Sequence, residues 1–389
     1  MKRLLKILGW VVGCTALLCV LLLVTGNAHV LRGLRSTYFI GESRPDIDDE
    51  RFHDLRKVAS GETIPWLRHA PLVALNAEDI AFHDSIESVG FIVIHQGEII
   101  AEQYFEGANA QSRYNSFSMA KSFLAMAFGA ALENGDLASL DLRLGEVLPE
   151  YNSGLDSLIT IRHLLQMSSG IDFGESYANP FGYQAKAYFG RDLESLTRPY
   201  RATSPPGTFW KYEGGNTVLL SLVLKELTGE TLSDYFSKNI WQQIGAEQEA
   251  FWNLDREGGL EKSFSAFYAT ATDFARVGQL YMDSGRVGNR QLIPESFIEE
   301  SIRPVKILNE EGEPEMHYGL HWWLGTFDGQ PFYSCRGMRG QYIACVPHLN
   351  MIMVRLGHNR IEEYVDGASL DLYRLLDMGK SKVEDEGRH

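Results

Sequence analysis

Two long apolar stretches stand out against a background of shorter alternations. The first, Ile7 to Val24, runs eighteen residues without a charge (ILGWVVGCTALLCVLLLV) and follows Lys2, Arg3 and Lys6. That length is about enough to cross a bilayer as a helix. The second, residues 117–132 (FSMAKSFLAMAFGAAL), is apolar nearly all round. It predicts a helix buried on every side, ending near Gly135. Residues 91–97 and 98–105 are two β-rich runs around Gln96-Gly97, the pattern of a hairpin. Residues 141–300 carry mostly helical periodicity, at 161–167, 217–228, 232–244 and 271–284. Strand-like runs follow at 318–327, 331–335, 341–347 and 351–356, and 361–378 reads as a closing helix. This order predicts an α/β (α+β) fold: a sheet completed by both ends of the chain, flanked by helices and interrupted by a mainly helical insertion. A cleft is expected at the seam between them.

The pattern divides the chain into an anchor or signal (1–30), a connector (31–75) expected to pack loosely, a large domain (76–380) and a polar tail (381–389). Small residues at Gly26-Asn27-Ala28 permit cleavage by a signal peptidase. Val11-Val12-Gly13-Cys14 resembles a lipoprotein box, but the apolar run continues well past it. Each reading sends the bulk of the chain outside a bacterial-type inner membrane, tethered or exported, with the basic end inside. At 389 residues and 44% hydrophobic content the chain can bury a large core. A formal charge of −15 argues against nucleic acid as a partner. Cys14 and Cys19 lie in the apolar segment; Cys335 and Cys345 fall on consecutive strands. Pairing around the intervening turn sets Cys335 opposite residue 342, which does not favour a disulfide.

The chemistry centres on Ser118-Met119-Ala120-Lys121. Serine and lysine three apart at a helix start lie one turn from each other on one face. Burial there disfavours an ammonium, and the positive end of the helix dipole pushes the same way. A lysine so placed is suited to take a proton from the hydroxyl and make it a nucleophile. No His-Glu-x-x-His, no Gly-x-Ser-x-Gly and no metal-like histidine cluster is present in the sequence, so metal and triad readings fail.

Seven strings then occur in one order: Arg113-Tyr-Asn-Ser-Phe-Ser-Met-Ala-Lys-Ser122, Thr160-Ile-Arg-His-Leu-Leu-Gln-Met-Ser-Ser-Gly170, Pro206-Gly-Thr-Phe-Trp-Lys-Tyr212, Asn216-Thr-Val-Leu-Leu220, Thr270-Ala-Thr-Asp-Phe-Ala-Arg276, Tyr318-Gly-Leu-His-Trp-Trp323 and Gly337-Met-Arg-Gly-Gln341. In these the chain resembles the serine β-lactamase and penicillin-binding protein superfamily. More narrowly, it is similar to the class C-like serine hydrolases that include esterases, D-aminopeptidase-type enzymes and 6-aminohexanoate-dimer (nylon oligomer) hydrolases. The resemblance implies a β-lactamase/transpeptidase-like fold with an antiparallel sheet, and needs no metal or organic cofactor. It implies Ser118 as nucleophile, Lys121 as base and Tyr212 as the phenol that shuttles a proton. It also implies substrate contacts by Tyr177, Arg336 and Gly337, and an oxyanion held by the N–H groups of Ser118 and Met338. Gly337 is expected to be small so that a substrate carbonyl can lie against the strand. Trp322, Trp323 and Phe267 are candidate cleft aromatics, though such positions are more often core.

Two motifs depart from the β-lactamase pattern. Tyr-x-Asn reads Tyr212-Glu213-Gly214, with Asn216 the nearest amide; Lys-Thr-Gly reads Cys335-Arg336-Gly337. Arg336 still offers a cation suited to a carboxylate. The expectation is therefore a serine hydrolase for a small-molecule amide or ester. The alternatives are a D-Ala-type carboxypeptidase or β-lactamase, and a membrane-anchored sensor that acylates without turnover.

Overall fold

The computed structural model describes residues 1–387. Helix α1 (Lys2–Val24) stands clear of the rest with no buried residue. Its 23 residues span about 35 Å at 1.5 Å each, enough for a hydrocarbon layer of about 30 Å. Three residues later α2 (Ala28–Ser36) begins, and it is docked on the domain. Its His29 Nε2 lies 2.9 Å from the Pro180 carbonyl and Arg32 Nε donates to that of Phe189 at 2.6 Å.

The main sheet is built from β2 (Leu67–Arg68), β3 (Ser88–His95), β4 (Glu98–Tyr104), β8 (Trp323–Phe327), β9 (Gln330–Gly337), β10 (Gln341–Val346) and β11 (Met351–Gly357). Their order is β8-β9-β10-β11-β3-β4-β2, antiparallel except where β2 joins β4. Both ends of the chain thus complete one sheet, as the pattern predicts. One face packs on α4 (Met119–Asn134) and the helix Ala271–Met282; the other packs on α5 (Leu370–Glu386). α4 is buried from Met119 through Ala131 and stops at Gly135, whose φ of 79° only glycine adopts readily.

A second, four-stranded sheet was not expected. It pairs β1 (Asp54–Val58), β6 (Ala250–Leu254), β7 (Phe267–Ala269) and β5 (Tyr114–Asn115) in the order β1-β6-β7-β5. The segment read as a loose connector therefore supplies a strand and part of the core, with Ile47, Asp49 and Val58 fully buried. Asp49 accepts hydrogen bonds from the hydroxyls of Tyr188 and Tyr268 and from Asn115 Nδ2, beside His53 Nε2 at 3.0 Å. Burial works against its ionisation, but the bonds from His53, Tyr268 and Tyr188 outweigh it and hold the carboxyl below the ordinary aspartate value. Arg339 fastens the same segment to the sheet, donating to the Pro45 carbonyl (2.8 Å), the Glu42 carboxylate (2.7 Å) and the His358 carbonyl (2.7 Å).

Three further details differ from the pattern. The run 232–244 is a helix only over Leu232–Phe236 and continues as a π turn to Trp241. Residues 361–369 are not helical: Tyr364–Val365 and Ala368–Ser369 form a small hairpin around Asp366-Gly367, both at positive φ, and α5 then runs through 381–386, where a tail was expected. A left-handed Arg339 (φ 62°) in the β9–β10 turn shifts the register, so Cys335 faces Ile343 and Cys345 faces Tyr333. Both cysteines are buried and unpaired.

Candidate active site

Ser118 lies at the start of α4 because the residue before it is held in an unusual conformation. Phe117 has φ 46°, a left-handed value that costs a non-glycine residue about 1–3 kcal/mol. Its buried ring and its N–H, which donates to Asn115 Oδ1 at 2.9 Å, hold it there. The amide of Asn115 is in turn fixed by Asp49, so the N-terminal segment supports the bend that presents Ser118.

One turn on, Lys121 is only 2% exposed. Its Nζ donates to Ser118 Oγ at 3.1 Å and to the Phe264 carbonyl at 2.7 Å. The same atom sits 4.8 Å from the centre of the Tyr212 ring, a cation–π distance. Among the described residues no carboxylate lies within ion-pair distance of it. Tyr212 stands in an aromatic box, with ring centroids of Trp323 and Tyr318 at 5.2 and 5.9 Å.

A cavity of about 820 Å³ opens over Ser118, and Tyr177, Tyr212, Arg336, Gly337 and Met338 all line it. Six of the seven residues singled out in the sequence thus face one space, with Lys121 directly behind Ser118. Trp323 also lines it, whereas Trp322 and Phe267 are core. Arg336 donates to Ser334 Oγ and to the Gly367 carbonyl, each at 2.8 Å, and leaves Nη2 unpartnered. Burial pushes its guanidinium down to about 10, so it is cationic at neutral pH.

Gly337 has a packing reason to be small beside the one expected. A Cβ there would stand 2.2 Å from the Ser116 carbonyl oxygen and 3.0 Å from Gln341 Cβ. The β9 backbone is pressed against the segment that carries the serine, and an alanine must separate the two. Gly337→Ala is expected to lower stability by about 1–3 kcal/mol, the usual cost of overpacking, and to lower turnover as well. An alanine variant with unchanged melting temperature and rate would refute this contact as the reason for glycine.

The missing Tyr-x-Asn amide is not replaced by Asn216. That side chain accepts from Ser169 Oγ at 2.5 Å, donates to the Glu213 carbonyl at 3.2 Å, and is buried away from the cavity. The space is occupied by Glu175, which sequence reasoning missed. Its Oε2 accepts the Gly214 N–H, and a Cβ on Gly214 would meet that oxygen at 3.3 Å and Phe264 Cβ at 3.0 Å. Burial lifts the Glu175 carboxyl above the ordinary glutamate value, against the opposing pull of the Lys121 charge, the Gly214 N–H and the Tyr177 hydroxyl. The one available signal was joint: an acidic residue two before Tyr177 and a glycine two after Tyr212.

A seven-stranded, mainly antiparallel sheet with helices on both faces and a serine–lysine pair at the start of a buried helix defines a serine hydrolase. The sequence profile of the Beta-lactamase family matches residues 73–371, and the chain belongs to that family. The 6-aminohexanoate-dimer hydrolase of Paenarthrobacter ureafaciens is 23% identical over 286 residues, covering 68% of this chain and 71% of the relative. A Bacillus anthracis structure provisionally named a 6-aminohexanoate-dimer hydrolase superposes with a TM-score of 0.72 at 20% identity, over 88% of this chain and 93% of that one. A family VIII carboxylesterase superposes at 0.59 with 15% identity, over 85% and 100% of the two chains. At such identities the structural likenesses establish the fold.

Proposed function

We propose that this hydrolase cleaves an amide or ester through a Ser118 acyl-enzyme and is held at the membrane by α1. Lys121 in its neutral state takes the Ser118 proton as Oγ adds to the substrate carbonyl carbon. The oxyanion that forms accepts from the N–H groups of Ser118 and Met338, the former at the positive end of α4. Tyr212 then delivers its proton to the leaving amine or alcohol and is reprotonated by Lys121, the C–N or C–O bond breaks, and the acyl group stays on Ser118. Water attacks next; its proton passes through Tyr212 and Lys121, and the released acid restores the hydroxyl. Arg336, which lines the same cavity and keeps one buried donor unpartnered, binds an anionic or carbonyl group of the substrate, and Tyr177 contacts the scissile amide or ester. Glu175 holds the Gly214 backbone, and with it Tyr212, where the family motif has an asparagine. Uncleaved, α1 is long and apolar enough to serve as the anchor.

The observation that carries this reading is the 3.1 Å contact of Lys121 Nζ with Ser118 Oγ inside a cavity that Tyr212 also lines. A fluorophosphonate probe is expected to label the wild-type protein and leave Ser118→Ala unlabelled; equal labelling would remove the nucleophile assignment. A panel of p-nitrophenyl esters, short amide oligomers, D-amino-acid peptides and nitrocefin then assigns the branch. Faster turnover of nitrocefin than of the esters would favour a β-lactamase, and a stable adduct without turnover would favour a sensor.

A further inference from the structure

The cavity over Ser118 does not end within the catalytic domain. Its far wall is α2, which contributes His29, Val30, Gly33 and Leu34, followed by the cap residue Thr37. Val30, Gly33 and Leu34 stand at i, i+3 and i+4, one face of a helix. Only Thr25, Gly26 and Asn27 separate that helix from α1. Four residue steps reach at most about 14 Å, while the polar zone on each side of a bilayer is about 5–8 Å deep. With α1 in a membrane, the cavity wall therefore begins at or just beyond the headgroups. The wall cannot swing away, because His29 and Arg32 bond it to the domain and the Phe189 ring fills the space beside Gly33, 3.2 Å from where a Cβ would stand. The rim carries exposed aromatics: Tyr38, Tyr177 and Tyr364 line the mouth, and Phe39, 79% exposed, adjoins Tyr38. Aromatic side chains of this kind settle at a membrane–water interface.

We infer that the substrate is an amphiphile of the bilayer, an ester or amide of a long aliphatic acyl chain. Its chain lies along the Val30–Leu34 face of α2 and its carbonyl reaches Ser118. This rests on the hydrolase and anchor readings given above. The reaction transfers the acyl group to Ser118 with release of the alcohol or amine, and water then liberates the fatty acid. An 820 Å³ cavity is large for a short amide yet within the range of pockets that enclose extended ligands.

The test uses the full chain in phosphatidylcholine vesicles with p-nitrophenyl butyrate and p-nitrophenyl dodecanoate. Turnover of the dodecanoate is expected to exceed that of the butyrate by tenfold or more in kcat/KM, given the gain from each added CH₂ group that is buried. The paired substitution Val30→Asp, Leu34→Asp is expected to cut the dodecanoate-to-butyrate ratio at least tenfold. If that variant fails to fold, Leu34→Trp, which fills the wall without adding charge, is expected to move the preferred chain length downward. Ser118-dependent turnover of butyrate with no preference for the longer chain, or a ratio indifferent to both variants, would overturn the inference and leave the hydrolase reading standing. Absence of Ser118-dependent turnover of either ester would remove the hydrolase reading, and this inference with it.

Discussion

Replacing Lys121 with methionine is expected to lower kcat/KM about 10⁴-fold while leaving the protein folded. Losses of this size follow removal of one member of a nucleophile–base unit. The side chain is buried, bonded to Ser118 Oγ and the Phe264 carbonyl, with no ion-pair partner among the described residues. A buried amine without an ion-pair partner is costly to keep, so an apolar replacement of similar length offsets the lost hydrogen bonds. The melting temperature of Lys121→Met should match or exceed that of the wild type, a trade of stability for activity common at functional sites. Because the two residues act as a unit, adding Lys121→Met to Ser118→Ala is expected to cost almost nothing further. Kinetics of the three variants together with calorimetry check both halves. A large fall in stability without a fall in rate would make Lys121 structural.

Acid is expected to destabilise the fold well above the range in which carboxylates titrate. His83 and His321 are buried, and burial pushes each down to about 3. His321 donates from Nδ1 to the Leu165 carbonyl (2.8 Å) and accepts the Thr217 hydroxyl at Nε2 (3.1 Å), so a proton there breaks a bond and adds charge near Lys121. His83 lies against the rings of Phe91 and Phe105 and is repelled by Arg355. Between pH 6.5 and 3 the unfolded chain binds protons at these sites that the folded chain refuses. Their stabilisation is therefore complete above pH 6.5 and falls as pH drops. At pH 5 each contributes a loss of about 2 kcal/mol, or about 4 kcal/mol together. His358, raised by its hydrogen bond to Asp46, acts oppositely, its contribution being lost as pH rises through its folded value. The raised carboxyls of Glu175, Glu213 and Asp273 also oppose it. Denaturation from pH 7.5 to 5 should show the net loss, and His321→Asn should remove about half of the histidine share. A flat profile would sink the assignment.

Much of this candidate site was legible because its proposed chemistry and its burial share one stretch of sequence. The all-round apolar run that holds Lys121 gives both the helix and the reason the lysine is unusual there. The hairpin at 91–105 and the later strands were readable for a similar reason, since alternation and turn residues are local, although the run read as 318–327 is a strand only from Trp323. What escaped depends on partners distant in the chain. Glu175 means nothing until Gly214 is seen to leave room for it. Strands β6 and β7 are short and lie within helical periodicity, and β1, the partner of β6, is about 200 residues away. The hairpin at 364–369 did carry a local mark, Asp366-Gly367, but the apolar spacing around it fits a helix as well.

The tie from Asp49 through Asn115 to Phe117 bears on where this protein can be cut. The family match starts at residue 73, yet trimming the gene at that point would delete β1, Asp49 and the Glu42 and Pro45 groups clasped by Arg339. The buried hydroxyls of Tyr188 and Tyr268 would lose their acceptor, and Asn115 the carboxylate that fixes it. The stretch after α1 is thus a brace for the bend that presents Ser118, and a soluble version that keeps its shape must start no later than α2.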